Sequence, residues 1–280
     1  MNESYWSRAT LESRIADAGA RRRHAGGSPD ANEIAAYAAG LPRHSPGSAV
    51  GLGMTPELRA LALAHFARVI SVDINLESIA LYRDWIAPDD RKRETILAGN
   101  WFEVPRVVGA PVSVVLADGV FGNLPDRDAH ARLLGAIAAA LESGGAFVTR
   151  MALIPDGFNA AEHRADRLLA RFRAGELDEA EFGFGMRLVG HYESCYDART
   201  CWLDNARLFA GCAARHAAGE LSDNEWQAMR RYYYGGRNCI IAQREWEDML
   251  ARGGWSFQLR RCEGKAWYEY YPVYACRRKA

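Results

Sequence analysis

The sequence lacks an excess of charge of either sign. Its 280 residues include 35 lysines and arginines and 35 aspartates and glutamates, so the formal net charge at pH 7 is zero. A surface without a basic excess does not attract nucleic-acid phosphates or anionic lipid over long distances. We therefore expect that neither nucleic acid nor a membrane is a partner of this chain.

Cysteine is absent from most of the chain. All six cysteines lie at or beyond Cys195, and none belongs to a Cys-x-x-Cys pair. The sequence also shows no signal peptide and no apolar run of the ~20 residues that span a bilayer. These absences argue against a disulfide-stabilised secreted protein and against a zinc site. We expect a cytoplasmic protein with reduced thiols and no bound metal.

A glycine-containing turn near residue 50 is the most informative stretch. Ser48–Leu52 is short and apolar, as in a buried strand. Gly51 and Gly53 allow a tight turn with close approach of the backbone to a ligand. Thr55 stands at the position of a helix N-cap, and Pro56 at the first helical position. The pattern predicts a strand, a turn and a helix, with a nucleotide-like ligand over the start of the helix.

An acidic residue follows at the spacing that suits a ribose. About 20 residues after Gly53, a second apolar strand ends in Asp73, where a carboxylate can accept hydrogen bonds from ribose hydroxyls. A dinucleotide turn needs a third glycine where Pro56 stands, and a phosphate-binding loop needs a Gly-Lys-Ser/Thr sequence. Glu57, in the first helical turn, would repel a pyrophosphate. S-adenosylmethionine carries adenosine without phosphate and is compatible with this turn.

These residues resemble a known family. Val50-Gly-Leu-Gly-Met-Thr-Pro-Glu-Leu58 and Asp73 resemble the first two motifs of class I S-adenosylmethionine-dependent methyltransferases, and the likeness covers roughly residues 45 to 151. The family usually has an acidic residue where Ala49 stands, so the methionine end of the cofactor must be bound by other residues. The resemblance implies S-adenosylmethionine as the cofactor. In these motifs it implies cofactor contacts from Gly51, Gly53, Thr55, Asp73 and Ile74.

Later segments supply the other expected cofactor contacts. The resemblance implies that Asn100 faces the adenine amino group and that Trp101 stacks on the ring, although Trp101 also suits the core. Asp118 and Gly119 end an apolar strand at the edge where parallel sheets bind ligands. Asp118 is expected at the methionine end or the substrate, or else it stabilises the Gly119 turn. Tyr5 is expected on a leading helix that folds over the cofactor, or packed on the core.

The order of the predicted elements indicates the fold class. Strands are predicted at 68–73, 94–98, 112–118 and 146–151 with helices between them, and a closing antiparallel hairpin at 255–261 and 268–275. The expected class is α/β, a Rossmann-like doubly wound, mostly parallel sheet with a C-terminal antiparallel hairpin and helical cap segments. The predicted segments are a helical lid (1–44), a cofactor-binding core (45–154), a helical cap insertion without strands (155–238), and a C-terminal helix and hairpin (239–280).

The cap contains the candidates for acid–base chemistry. A methyl acceptor needs a base only if it arrives protonated. His191 and Tyr192 are the nearest candidates, and Tyr233, within a run of tyrosines, could contact the cationic methyl group. The alternative is that these residues are structural parts of an aromatic cap.

Three functions compete at this stage. The leading one is in-line methyl transfer to a small molecule with release of S-adenosylhomocysteine. The second is an intramolecular cyclase that forms azetidine-2-carboxylate and releases methylthioadenosine. The third is a non-catalytic nucleoside-binding interaction module whose cap is a protein interface. A homodimer is left open for all three.

Overall fold

The protein is built on a twisted sheet with helices on both faces. The structure, a computed structural model, describes residues 27–42, 47–232 and 236–279. Within these ranges the strands are β1 (Ser48–Leu52), β2 (Arg68–Asp73), β3 (Glu94–Ala98), β4 (Val112–Asp118), β5 (Leu141–Arg150), β6 (Leu153–Ile154), β7 (Tyr196–Asp197), β8 (Trp202–Asp204), β9 (Arg237–Cys239), β10 (Ile241–Ala242), β11 (Trp255–Arg260) and β12 (Val273–Arg278).

Helices connect most of these strands. In chain order they are α1 (Ala31–Gly40), α2 (Pro56–His65), α3 (Leu76–Tyr82), α4 (Pro88–Arg91), α5 (Val104–Val108), α6 (Arg127–Ala140), α7 (Ala165–Arg173), α8 (Glu179–Gly185), α9 (Tyr192–Cys195), α10 (Asn205–Ala217), α11 (Asp223–Arg230) and α12 (Gln243–Arg252). Shorter turns are the 3-10 turns Arg83–Trp85, Trp101–Glu103, Phe121–Asn123 and Ala266–Glu269 and the π turn Met186–Gly190.

The central sheet has seven strands in the order β3-β2-β1-β4-β5-β12-β11. The pairs from β3 to β5 are parallel, while β12 is antiparallel to both β5 and β11. This confirms the predicted fold class, including the closing hairpin. The chain leaves β1 toward β2 on one side and later returns to β4 on the other. Ligands of such sheets bind at this switch point, outside the carboxyl ends of the strands.

The sheet is stable because apolar side chains cover both of its faces. Along β4, Val115 belongs to one hydrophobic cluster, and its neighbours Val114 and Leu116 belong to another on the opposite face. Leu133 of α6 packs in the first cluster, and Leu58 of α2 in the second. The burial of each aliphatic side chain contributes roughly 1.5 to 3 kcal/mol to the free energy of folding. The clusters hold the loops at the carboxyl ends in place.

Several predicted boundaries differ from the structure. β5 begins at Leu141 and includes Gly144 and Gly145, whereas the sequence pattern predicted that this strand begins at residue 146. The pairing of β4 with β5 shifts register between Val112 and Val114, which accommodates the extra residues. β12 begins at Val273 rather than at residue 268, because Ala266–Glu269 forms a 3-10 turn.

The cap has its own small sheet, which the sequence analysis missed. β7, β8 and β9 form a three-stranded antiparallel sheet, and β6 pairs with β10 in parallel where the cap segment leaves and rejoins the core. Strands of two or three residues are too short to show a periodic pattern, so helices alone were expected here. A separate hydrophobic cluster that includes Phe182 and Leu188 holds the cap together.

The length and apolar character of the described helices determine whether any of them could cross a membrane. Within residues 27–42, 47–232 and 236–279, no helix is both long enough and apolar enough to cross a bilayer.

Candidate functional site

A cavity of about 500 Å³ opens at the carboxyl ends of the central strands. The loops after β1, β2 and β3 form one half of its wall. The loops after β4 and β5, the cap, and the segment before β12 form the other half. The first half includes Gly53, Thr55, Asp73, Ile74, Asn75, Ser78 and Trp101, and the second includes Asp118, Gly119, Gly122, Asn123, Ala152, Arg187, Asn238 and Tyr271.

Gly53 is held in a tight turn at the floor of the cavity. Its φ is +93°, a conformation that favours glycine. Its N–H donates to the Val72 carbonyl at 2.8 Å, and the Trp101 indole N–H donates to the same oxygen at 2.8 Å. Trp101 is buried and lies beside the turn, since a Cβ on Gly53 would be 3.9 Å from its ring. One carbonyl therefore ties together the loops after β1 and β3.

Gly51 and Thr55 lie on either side of this turn. Gly51 is within β1, and a Cβ there would only reach ordinary contact with Ser71 Oγ at 3.7 Å. It is not part of the cavity wall. Thr55 is on the wall and precedes α2, but its side chain makes no capping hydrogen bond; Pro56 takes the first helical position as predicted.

Asp73 ends β2 with its carboxylate on the wall and only 8% of the residue exposed. One carboxylate oxygen accepts the Asn75 N–H at 2.9 Å. Burial raises the pKa of the Asp73 carboxyl to about 6, and hydrogen bonds from the Asn75 backbone and the Ser78 side chain oppose the rise. Ile74, beside it, is 42% exposed on the wall. The arrangement can accept hydrogen bonds from a ligand diol.

Asn100 has a structural contact. Its side-chain oxygen accepts the Phe102 N–H at 3.1 Å and so caps the following 3-10 turn. Asn100 is not on the wall of the cavity, whereas its neighbour Trp101 is.

Asp118 is held by a buried arginine that the sequence analysis did not single out. Arg150 Nε lies 2.8 Å from Asp118 Oδ1, and Arg150 Nη2 lies 3.1 Å from Asp118 Oδ2. Arg150 Nη1 is also 2.7 Å from Glu33 Oε2, with both side chains 1% exposed. Burial alone would lower the pKa of Arg150, but the attraction of Asp118 and Glu33 outweighs it and the pKa is raised. Burial raises the pKa of Glu33, against the attraction of Arg150. The signal in the sequence was an arginine ending an apolar strand.

Gly119 and Tyr271 are in close contact beyond β4. Gly119 has a φ of +63°, and its N–H donates to the Arg150 carbonyl at 2.9 Å. A Cβ there would collide with the Tyr271 hydroxyl, so a side chain at this position would require Tyr271 to move. The Arg150 guanidinium carbon lies 4.3 Å from the centre of the Tyr271 ring. The sequence analysis also missed Tyr271.

Amide side chains position Arg187, which lies on the wall of the cavity. Arg187, in the π turn, donates from Nη2 to the Asn238 side-chain oxygen at 2.7 Å. Asn205 donates to that oxygen at 2.6 Å, and the Asn238 amide nitrogen donates to the Gly122 carbonyl at 3.0 Å. Asn205 and Asn238 are buried. No local pattern indicated this network, because its members are far apart in the sequence.

The predicted acid–base residues lie elsewhere. His191 is in the cap, with Nε2 3.4 Å from Cys212 Sγ, and burial lowers its pKa. Tyr192 stacks on Tyr196 with ring centres 4.1 Å apart, and burial raises the pKa of its phenol. Neither of these two described residues belongs to the wall. Their catalytic role stays a prediction, and Tyr5 and Tyr233 lie outside the described residues.

Across residues 27–42, 47–232 and 236–279, no group of three or more His, Cys, Asp or Glu side chains is placed to hold an ion.

The chain is similar to several solved structures, although no family model matches its sequence and no curated protein does. The CcbJ methyltransferase from Streptomyces caelestis has 15% identity and a TM-score of 0.58, over 98% of this chain and 100% of CcbJ. The glycopeptide N-methyltransferase MtfA, solved with S-adenosyl-L-methionine, has 14% identity and a TM-score of 0.54, over 92% of this chain and 99% of MtfA. A Rhodobacter sphaeroides structure named for Zn-dependent alcohol dehydrogenases has 13% identity and a TM-score of 0.54, over 97% and 98%.

At sequence identities of 13 to 15%, the similarity to these structures shows a shared fold and nothing more. The strand order, the parallel core from β3 to β5 and the antiparallel β12 between β5 and β11 agree with it. The protein has the class I methyltransferase fold.

Proposed function

We propose that this protein is an S-adenosylmethionine-dependent methyltransferase that acts on a small molecule. The observation that carries the proposal is the Asp73 carboxylate, buried on the cavity wall at the end of β2 and facing the same cavity as Gly53. The fold adds support, since similar structures include the methyltransferases CcbJ and MtfA, the latter solved with S-adenosyl-L-methionine.

The first half of the wall fits the nucleoside part of the cofactor. Asp73 would accept hydrogen bonds from both ribose hydroxyls, which are charge-assisted when the carboxylate is ionised. Trp101 and Ile74 supply apolar surface for a base. Glu57, in the first turn of α2, discourages a phosphate but not an uncharged nucleoside. Asp118 and Gly119 would lie toward the methionine end.

The second half of the wall and the cap would hold the acceptor. S-adenosylmethionine, when bound, supplies a methyl group on a sulfonium, which is already an activated leaving group. The protein therefore has mainly to exclude water and to align the acceptor atom within about 3 to 3.5 Å, a proximity effect of roughly 7 to 11 kcal/mol. Methyl transfer in this arrangement would release S-adenosylhomocysteine. We propose no base among the described wall residues, which suits an acceptor that arrives unprotonated.

Calorimetric titration with S-adenosylmethionine and S-adenosylhomocysteine tests this proposal. Asp73→Ala should weaken binding by roughly 1.5 to 3 kcal/mol while the protein stays folded, because a charge-assisted hydrogen bond is lost. Asp89→Ala is a suitable control, since Asp89 is 93% exposed on α4. Unchanged affinity in a folded Asp73→Ala protein would remove the cofactor assignment.

Product analysis separates the competing functions. Methyl transfer makes S-adenosylhomocysteine, whereas the cyclase reaction makes methylthioadenosine. Failure of the wild-type protein to bind S-adenosylmethionine or S-adenosylhomocysteine would exclude both enzymes. Binding without either product would leave the non-catalytic nucleoside-binding module.

A further inference from the structure

The half of the cavity wall next to the cap contains a group of apolar residues. Val120 follows β4, Ala152 lies between β5 and β6, and Ile240 lies between β9 and β10. Leu153 pairs with Ile241 in parallel, so Ala152 and Ile240 are neighbours where the cap segment leaves and rejoins the core. Val120, Ala152 and Ile240 form what we name the apolar patch.

Backbone hydrogen bonds fix the position of the apolar patch. The Ile240 N–H donates to the Cys201 carbonyl at 2.7 Å, and the Ile240 carbonyl accepts the Tyr196 hydroxyl at 2.9 Å. The N–H of Leu153, directly after Ala152, donates to a backbone carbonyl of the segment before β12 at 2.9 Å. A surface that is ordered before binding loses little conformational entropy when a ligand packs on it.

The polar side chains on this half of the wall already have partners within the protein. These side chains are Asp118, Asn123, Arg187, Asn238 and Tyr271. Their partners are Arg150 for Asp118 and for the Tyr271 ring, the Gly119 carbonyl for Asn123, and each other for Arg187 and Asn238. A ligand that displaced these contacts would have to replace them, whereas a ligand on the apolar patch displaces only water.

A second, much smaller cavity lies behind the apolar patch. Ala152 and Ile240 belong to the walls of both cavities. The smaller cavity has a volume of about 10 Å³, which suits one water molecule at most. Its wall is mainly apolar and aromatic and includes Phe158, Leu188 and Tyr270. Ala152 and Ile240 therefore separate the ligand cavity from apolar surroundings beneath the cap.

We propose that the methyl acceptor carries an apolar group that packs against Val120, Ala152 and Ile240, and that Ala152 and Ile240 limit the size of this group. Packing here removes water from the apolar group and from the patch, and methyl transfer requires the exclusion of water in any case. This inference rests on the proposed function and narrows its acceptor from any small molecule to a hydrophobic one.

Saturation-transfer NMR on the protein saturated with S-adenosylhomocysteine tests the patch with two probes. Benzyl alcohol carries an apolar ring and should give a signal, whereas glycerol, an alcohol without an apolar group, should give none. Ala152→Phe fills the space beside the patch and should lose roughly tenfold or more in affinity for benzyl alcohol. Ala139→Phe, a matched control on the exposed face of α6, should keep the wild-type affinity.

Ile240→Ala should have the opposite effect, because it joins the two cavities. A gain of affinity is not a consequence of damage to the fold, so this variant tests the size limit independently. From benzyl alcohol to para-ethylbenzyl alcohol, its affinity should rise by roughly fourfold for each added carbon, and that of the wild type should not. Leu63→Ala, which removes a buried side chain from the cluster on the opposite face of the sheet, should behave like the wild type.

Circular dichroism checks the fold of each variant. If Ala152→Phe does not fold, Ala152→Val takes its place and should show a smaller loss of affinity. The inference is overturned if benzyl alcohol gives no signal with the wild type, or if the folded Ala152 variant binds it as well as Ala139→Phe does. The absence of a gain in Ile240→Ala overturns the size limit. If the wild type binds no S-adenosylhomocysteine, the proposed function fails, and the benzyl alcohol comparison on the free protein decides the role of the apolar patch separately.

Discussion

Asp73 should give opposite pH dependences to folding and to ligand binding. Burial raises the pKa of its carboxyl from 3.8 to about 6, so between these values the folded state holds a proton that the unfolded state has lost. The free energy of unfolding of the unliganded protein should therefore fall as the pH rises from about 4 to about 6, by roughly 3 kcal/mol from this residue. Urea unfolding at several pH values measures this decrease in the free energy of unfolding. The Asp73→Asn protein should lack the part of the decrease that Asp73 causes.

The affinity for the ligand should depend on pH in the opposite sense to the free energy of unfolding. The ionised carboxylate accepts hydrogen bonds from both ribose hydroxyls, while the protonated form has one acceptor fewer. Affinity for S-adenosylhomocysteine should rise with pH through about 6 and level off above it. The Asp73→Asn protein should show a nearly flat profile. The same slope in both proteins would mean that another group titrates.

Gly53 and Gly51 form a matched pair for testing the turn. Gly53→Val places a side chain at a φ of +93° beside Trp101, which should cost about 1 to 2 kcal/mol of stability and abolish binding of S-adenosylhomocysteine. Gly51→Ala should leave stability unchanged, because its Cβ has room. Circular dichroism follows the stability of each variant, and calorimetry measures its affinity for S-adenosylhomocysteine. Full binding by Gly53→Val would show that the ligand does not reach the turn.

At the scale of elements, Arg150 joins α1, β4 and β5 through Glu33 and Asp118. Arg150→Met should destabilise the protein by about 3 to 5 kcal/mol, because it leaves two buried carboxylates without their cation. Arg171→Met removes an exposed pair with Glu176 and should cost at most about 1 kcal/mol. Urea unfolding measures the loss of stability in each of the two variants. Equal costs would show that the buried network does not hold these elements together.

The elements of the core could be predicted because each carries its own pattern. β4 is almost wholly apolar because both of its faces are covered, and the Gly53 turn has local glycine and proline signals. The predicted C-terminal helix within residues 239–280 is α12, Gln243–Arg252. The strands β7 to β9 gave no such pattern, because they are stabilised by pairing within the cap rather than by periodic burial.

Part of the candidate site could be predicted because its residues follow strands that have a recognisable sequence pattern. Asp73 and Gly119 follow recognisable strands, so their place at the carboxyl edge followed from topology. Arg187 and Tyr271 reach the cavity through tertiary contacts with partners far away in the sequence, and single-sequence patterns do not encode such contacts. Asn100 caps its own turn, a local role that asparagine often takes, whereas the family resemblance had placed it at the adenine.

For the whole molecule, ligand binding should protect distant segments of the chain together. S-adenosylhomocysteine should slow amide hydrogen exchange in residues 74–78 and 119–123, which line the cavity on both sides of β1. Residues 5–20 should also be protected if the leading segment folds over the cofactor. Residues 88–93, beside the outer edge strand β3, serve as the internal reference. Protection confined to that edge would place the ligand elsewhere.

The position of β12 has a consequence for how the chain is made. This strand is the last of the sheet in sequence, yet it lies between β5 and β11, both of which are synthesised earlier. Until residues 273–278 have left the ribosome, β5 has an open edge and β11 has no neighbour in the sheet. Open strand edges pair readily with other chains. The nascent protein therefore stays exposed to edge-to-edge association until residues 273–278 have emerged, and β12 removes that exposure in one step.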